Sequence, residues 1–209
     1  MTENTPPRSR LKTVRLLLWA LVALALLGVA AMLLLRRDDA DPPQAAVATA
    51  QSNFGGPFTL TNGEGRRFSS AALAGKPYAI FFGFTRCGDV CPTTLARLVK
   101  LRREAANDQA MNILFVTIDP KNDRPKEVGQ YGAMFNAPII GLTGTEAEIE
   151  QVKKQYGIFA QPSAHPMPGK EMEHTGTVLL FDRQGRFVAT VSPDEPDSAA
   201  LEKFKRITT

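Results

Sequence analysis

The chain's two cysteines, Cys87 and Cys91, stand four residues apart in "RCGDVCP" (86–92). Three uses fit that pattern: a structural disulfide, a redox-active dithiol, or a pair of thiolate ligands. The i, i+4 spacing allows a disulfide, but closing a loop of about five residues restrains the unfolded chain by only roughly 2 kcal/mol, against about 4.7 for a hundred-residue loop. A purely structural bridge is therefore the weakest use of the pair. The reactive uses have a mechanism. Pro92 is expected at the first position of a helix, with Cys91 as its N-cap. Unpaired backbone N–H groups and the positive end of the helix dipole stabilise a thiolate there. Arg86 adds positive charge, and Cys87 on the preceding turn faces Cys91.

Two thiolates make an incomplete site for most metals, so a third donor is expected. The chain offers two histidines, His165 and His174. His165 lies in the Pro-rich polar stretch "QPSAHPMPGKEMEH" (161–174) and reads as solvated. His174 shortly precedes an expected strand at 177–182, on a loop that can return beside the cysteine turn. Two thiolates and one imidazole suit Cu(I), a soft ion content with few ligands. Structural zinc would want four ligands; Asp89 could be the fourth, though that spacing is unusual for zinc. Met167 and Met172 flank the loop before His174 and could touch Cu(I) in passing. The plainer reading is a pair of solvated loop methionines.

The elements that must hold these residues are legible as alternating patterns. "PFTLTNGEGRRFSS" (57–70) reads as a hairpin turning on "NGEG". "YAIFFGF" (78–84) and "NILFVTID" (112–119) read as buried strands. "PTTLARLVKLRREAAND" (92–108) carries apolar residues at helical spacing, and its Arg97, Lys100, Arg102 and Arg103 form either a docking surface for an acidic partner or a solvated helix face. "RPKEVGQYGAMFN" (124–136) reads as a helix. So does "TEAEIEQVKKQYG" (145–157), with Thr145 as N-cap and Glu148 completing a capping box. "TVLLFD" and "RFVATV" form a terminal hairpin before a last helix at 196–207. Strands alternating with helices and a ββα ending predict an α/β, thioredoxin-like fold with a central mixed sheet, and "RCGDVCP" falls where the first βα turn leaves that sheet.

The rest of the chain bounds the location. Six of the 25 basic and one of the 21 acidic residues precede Asp38, so the net charge of +4 belongs to the N-terminus. The remainder is near neutral and gives no sign of a nucleic-acid-binding domain. Leu16–Leu35 is free of charge over twenty residues, roughly 30 Å of helix, the thickness of a bilayer's hydrocarbon core. A cleavable signal with small-residue spacing at Ala46-Val47-Ala48 is the alternative. Positive charge is denser before the span than after it, which places the C-terminal side outside. The expected organisation is a cytoplasmic N-terminus (1–15), a single-pass inner-membrane anchor (16–35), a tether (36–56), and a periplasmic domain (57–209). The short segment before the span favours a bacterial inner membrane over a mitochondrial one.

"FGFTRCGDVCPTTL" (82–95), "VTIDPKNDRP" (116–125) and "HTGTVLLFDRQGRF" (174–187) resemble, in order and spacing, the three signature blocks of the Sco/SenC copper chaperones. The resemblance covers 57–207. It implies a thioredoxin-like fold and delivery of copper, as Cu(I) or Cu(II), to the binuclear copper centre of cytochrome c oxidase. The partner is then the oxidase's copper-binding subunit, with a thiol reductant or copper donor protein as a further one. The resemblance also implies Cys87, Cys91 and His174 as copper ligands, with Asp119 near the site. The chain departs from the family pattern at Gly88, where proline often follows the first cysteine, and carries Gly176 where thioredoxins have a proline beside the exchanging sulfur. A thiol–disulfide reductase that keeps an oxidase subunit's copper-site cysteines reduced is the competing enzyme reading, with Cys87 and Cys91 as its redox pair. A redox or copper sensor is the non-catalytic one.

Overall fold

The computed structural model describes residues 8–35, 54–106 and 111–208. They divide into two compact units, one up to Thr49 and one from Ala50. In the first unit the apolar run lies within one unbroken helix, α1 (Arg8–Leu35). Among the described residues no helix is long and apolar enough to cross a membrane. The side chains of Ala30 and of residues 33–35, which complete the run read from the sequence, lie outside the described set. So do residues 36–53 of the expected tether.

The second unit is built on a seven-stranded mixed sheet. Its strands are β1 (Thr59–Asn62), β2 (Arg67–Ser69), β3 (Tyr78–Gly83), β4 (Asn112–Thr117), β5 (Ile139–Thr143), β8 (Val178–Phe181) and β9 (Phe187–Val191). A separate small hairpin is made by β6 (Ala160–Pro162) and β7 (Met172–His174). The sheet order is β2-β1-β5-β4-β3-β8-β9. The three inner strands β3, β4 and β5 run parallel, and the outer ones are antiparallel. This is the mixed sheet the alternating pattern predicts.

Every residue of β3 is buried, as expected of a central strand covered on both faces. Its Phe81 and Phe82 join Phe115 of β4 and Phe181 of β8 in one continuous core. Each such side chain adds about 1.5–3 kcal/mol over an exposed one. Among the described residues four α-helices follow α1: α2 (Val90–Ala106), α3 (Pro125–Ala133), α4 (Glu146–Gln155) and α5 (Asp197–Thr208). The capping box at Thr145 is formed, with Thr145 Oγ1 accepting from Glu148 N–H while Glu148 accepts from the Thr145 N–H. The described part of this unit begins with Phe54, whose ring lies edge-on to Phe187 at 4.7 Å; the Gly55 N–H donates to Gln155 O at 2.9 Å.

Two parts of the pattern differ from expectation. The strand β5 falls in a stretch with no strand reading, and the supposed polar loop at 161–174 is a hairpin whose ends are short strands. Its register pairs Ala160 with His174 and Pro162 with Met172. Two of the charges of α2 are engaged within the fold. Arg97 Nε reaches Asp197 Oδ1 at 2.8 Å and Lys100 Nζ reaches Asp197 Oδ2 at 2.9 Å. Arg97 also donates to the carbonyls of Ser192, Pro193 and Glu195, and Arg102 is buried. Arg97 and Lys100 hold α2 to the start of α5.

Candidate metal centre

At the C-terminal end of β3 the chain leaves the sheet through Phe84, Thr85 and Arg86 into the cysteine turn. A carboxylate holds the start of that turn in place. Asp123 is fully buried; its Oδ2 accepts from the Thr85 N–H at 2.9 Å and from Thr117 Oγ1 at 2.6 Å, and its Oδ1 accepts from Thr85 Oγ1 at 2.5 Å. Burial pushes its carboxyl above the usual range, while the donors from Thr117 and Thr85 pull the other way. Asp123 falls inside the block at 116–125, but the sequence reading assigns it no role. Gly83, just before the turn, lets Cys91 come close: a Cβ at that position would lie 2.8 Å from Cys91 Sγ and 3.2 Å from the Phe115 ring.

The helix after the turn starts one residue before Cys91. The Asp89 carbonyl accepts from the Thr93 N–H at 3.3 Å, so Val90 already lies in α2 and Cys91 is its second residue. This corrects the expectation that Cys91 is the N-cap and the thiolate. The Cys91 N–H, one of the first-turn donors without an intrahelical partner, instead points at Cys87 Sγ at 3.3 Å. Cys87 is therefore the stabilised thiolate. The Cys91 thiol, followed by His174 and the backbone N–H groups of Asp89 and Cys91, outweighs burial and brings its pKa down to about 4. Cys91 is fully buried, and the neighbouring Cys87 sulfur together with that burial pushes its thiol far up. Arg86 has a different role from the one expected of it: its guanidinium pairs with Asp119 Oδ2 at 2.7 Å and lies 3.9 Å from Glu171 Oε1.

His174 is presented by β7. Its Nδ1 lies 3.0 Å from the Thr175 carbonyl. A carbonyl only accepts, so Nδ1 donates to it, and Nε2 is the nitrogen left to face the cysteines, with Cys91 Sγ 3.7 Å away. Thr175 is itself fixed, its N–H donating to Phe159 O at 2.9 Å and its Oγ1 accepting from the Phe159 N–H at 3.1 Å. Edge-on contacts with Phe81 and Phe84, at 6.2 and 6.0 Å between ring centres, set the plane of the imidazole.

The ligand atoms of Cys87, Cys91 and His174 all lie within 4.8 Å of one another, the sole group of this kind among the described residues. Metal–sulfur and metal–nitrogen bonds of about 2.3 and 2.0 Å span such a triangle with little movement. Two sulfurs and one neutral nitrogen against an aromatic wall favour a soft, low-coordinate ion. Asp89 is not part of the group. Asp119 stands one ion pair away through Arg86. His165 is exposed and lies outside the group, yet it lines, with Met167 and Met172, the cavity of about 360 Å³ onto which Cys87 and His174 open. A larger open groove of about 750 Å³ beside Gly63 and Gly129 contains none of the three donors.

Comparison with known proteins follows the same lines. The family model described as SCO1/SenC matches residues 46–209. The chain is 32% identical over 197 residues to the mitochondrial protein SCO2 of Saccharomyces cerevisiae, covering 92% of this chain and 64% of that protein. It thus spans just under two thirds of that relative's length. The structure of Bradyrhizobium japonicum ScoI with copper bound superposes with a TM-score of 0.64 at 36% identity, covering 74% of this chain and 99% of that one. Yeast Sco1 with copper bound gives a TM-score of 0.64 at 30% identity, with 74% and 87% covered.

Proposed function

Because the chain belongs to the SCO1/SenC family, we propose that it is a copper chaperone that holds one copper ion on Cys87 Sγ, Cys91 Sγ and His174 Nε2. The observation that carries this reading is the convergence of those atoms within 4.8 Å. Nε2, already facing Cys91 Sγ, and the ready thiolate of Cys87 need little rearrangement to accept the ion. The solved relatives that contain copper, at 36% and 30% identity, support copper as the cargo, and the donor set suits Cu(I) better than Cu(II).

The destination we propose is the binuclear copper centre of cytochrome c oxidase, whose copper-binding subunit is then the partner, with a copper donor or thiol reductant acting upstream. The apolar run at 16–35 acts as a single-pass inner-membrane anchor, with residues 1–15 cytoplasmic and the domain in the periplasm. The asymmetry of charge across the run supports that orientation.

Titrating Cu(I) into the reduced full chain in detergent tests the chaperone reading. One ion per chain is expected, with tight binding lost in Cys87→Ser and in Cys91→Ser, because a hydroxyl is a hard, weak ligand for a soft ion. A variant of either cysteine that binds like the wild type removes that residue from the site.

A second reading is favoured by the asymmetry of the thiols. A low-pKa, half-buried Cys87 beside a buried, protonated Cys91 is the arrangement of an attacking and a resolving thiol. On that reading the chain reduces a disulfide in its partner. Catalytic turnover with such a disulfide, in the absence of stoichiometric copper binding, would place it ahead.

A further inference from the structure

The cavity outside the three donors is walled by the β6–β7 hairpin, and the segment at its tip is unusually well fixed. The Lys170 N–H donates to the Met167 carbonyl at 2.8 Å. Pro168 and Gly169, the latter at φ +80°, fill the central positions of the turn in the order a type II turn requires. The turn is fastened to the cysteine loop through the backbone, with the Gly88 N–H donating to Gly169 O at 3.2 Å. A Cβ at 169 would lie 2.9 Å from Gly88 N, so no larger residue fits that contact. At the base of the excursion the Ser163 N–H donates to Glu171 O at 2.8 Å. The Gly88 that stands where the family often has proline is thus the seat of the turn.

This geometry presents two thioethers to the cavity. Met167 projects from the fixed turn and Met172 from the first position of β7, and both line the same cavity as Cys87 and His174. Met167 is exposed although large and apolar, and Met172 packs partly on the core. Thioethers are neutral, soft and weak donors, selective for monovalent copper over harder ions. A fixed presentation lowers the ordering cost of using them.

We propose that Met167 and Met172 form a receiving subsite for Cu(I), which holds the ion briefly between an external donor and the Cys87–Cys91–His174 centre. The transfer is a ligand exchange without change of oxidation state: the thioethers displace the donor's ligands, and the two sulfurs and Nε2 then displace the thioethers. The ion's final seat is stronger because thiolates are charged. The subsite therefore governs the rate of loading and leaves the final affinity unchanged. This inference rests on the copper reading of the centre.

The test has two arms on the full chain in detergent. In the Cys87→Ser/Cys91→Ser variant, carrying methyl-labelled methionine, Ag(I) is added as a redox-inert stand-in for Cu(I). The Met167 and Met172 methyl resonances are expected to shift, while that of Met134, exposed on the same domain, stays in place. Unmoved Met167 and Met172 signals, or an equal shift at Met134, overturn the proposal. In the second arm Met167→Leu/Met172→Leu, a nearly volume-conserving change, takes up Cu(I) from a bicinchoninate complex. Loading at least tenfold slower than wild type, with unchanged final affinity, supports the subsite, and a rate within twofold of wild type refutes it. A wild type that binds no Cu(I) at all refutes the copper reading of the centre instead, so the two failures are told apart.

Discussion

The assignment of the thiolate to Cys87 makes a kinetic prediction that can be worked through in numbers. An ordinary thiol titrates near 9, whereas Cys87 is brought down to about 4. At pH 6 an ordinary thiol is therefore ionised to about one part in a thousand, while Cys87 is almost fully ionised. The lower basicity subtracts from that advantage. With a Brønsted coefficient of about 0.4–0.5, five units of basicity lower intrinsic nucleophilicity by roughly 100- to 300-fold. Alkylation of Cys87 by iodoacetamide at pH 6 is thus expected about 3- to 10-fold faster than that of a model thiol, and near pH 9 slower by about two orders of magnitude. Its rate should be flat from about pH 5.5 to 8 and fall only toward pH 4, because the reactive form is lost only below the depressed pKa. Cys91, buried and held protonated, should stay unmodified over the same range. The assay is timed alkylation of the reduced chain followed by peptide mapping. A rate that climbs tenfold per pH unit between 6 and 8, or modification of Cys91 before Cys87, would refute the assignment. Replacing Cys91 with Ala removes the largest cause of the depression, so the Cys87 inflection should move upward.

Four other perturbations separate the roles of the surrounding residues. Oxidation to the Cys87–Cys91 disulfide uses both sulfurs, so copper binding should vanish and return with reductant; His174→Ala should still form the disulfide yet bind copper weakly, most of all as Cu(II), which direct titration of both forms will show. Gly83→Ala overpacks the site against Cys91 and Phe115, with an expected loss of about 1–3 kcal/mol in chemical denaturation. Asp123→Asn places an amide N–H₂ where the carboxylate accepts from Thr85 and Thr117. At least one buried donor is then orphaned, costing about 1–3 kcal/mol, and the cysteine turn should gain amide hydrogen exchange at Thr85.

The centre was legible because its chemistry is written in rare residues. Two cysteines at a βα turn and a histidine before the terminal hairpin leave few other arrangements, and the buried strands around Phe81 and Phe115 announce themselves as apolar runs. What stayed hidden was set by backbone contacts and tertiary neighbours. The helix start moved by two residues, from Pro92 to Val90, because the Asp89 carbonyl, and not Cys91, closes the first turn, and that shift transfers the thiolate from Cys91 to Cys87. The β6–β7 hairpin escaped notice because strands of three residues are too short to carry a period to read. Asp123 lies in the block at 116–125, yet its role stayed unread because only the fold brings Thr85 and Thr117 to it. Arg97 and Lys100 looked like a surface patch because Asp197, their partner, lies about a hundred positions along the chain.

The hydrogen bond from His174 to the Thr175 carbonyl bears on how many protons move with the cargo. When the imidazole is neutral its proton stays on Nδ1, at the Thr175 carbonyl, and with Cys87 already ionised the ligand left to shed a proton is Cys91, buried and held protonated. Loading a monovalent ion then expels one proton, and affinity should change about tenfold per pH unit. One positive charge arrives as another departs, so the net charge of the filled and empty centres is the same. A partner that distinguishes the two forms has no difference in long-range field to use. It must sense the rearranged sulfurs and the imidazole by contact, at the mouth walled by the Met167 turn.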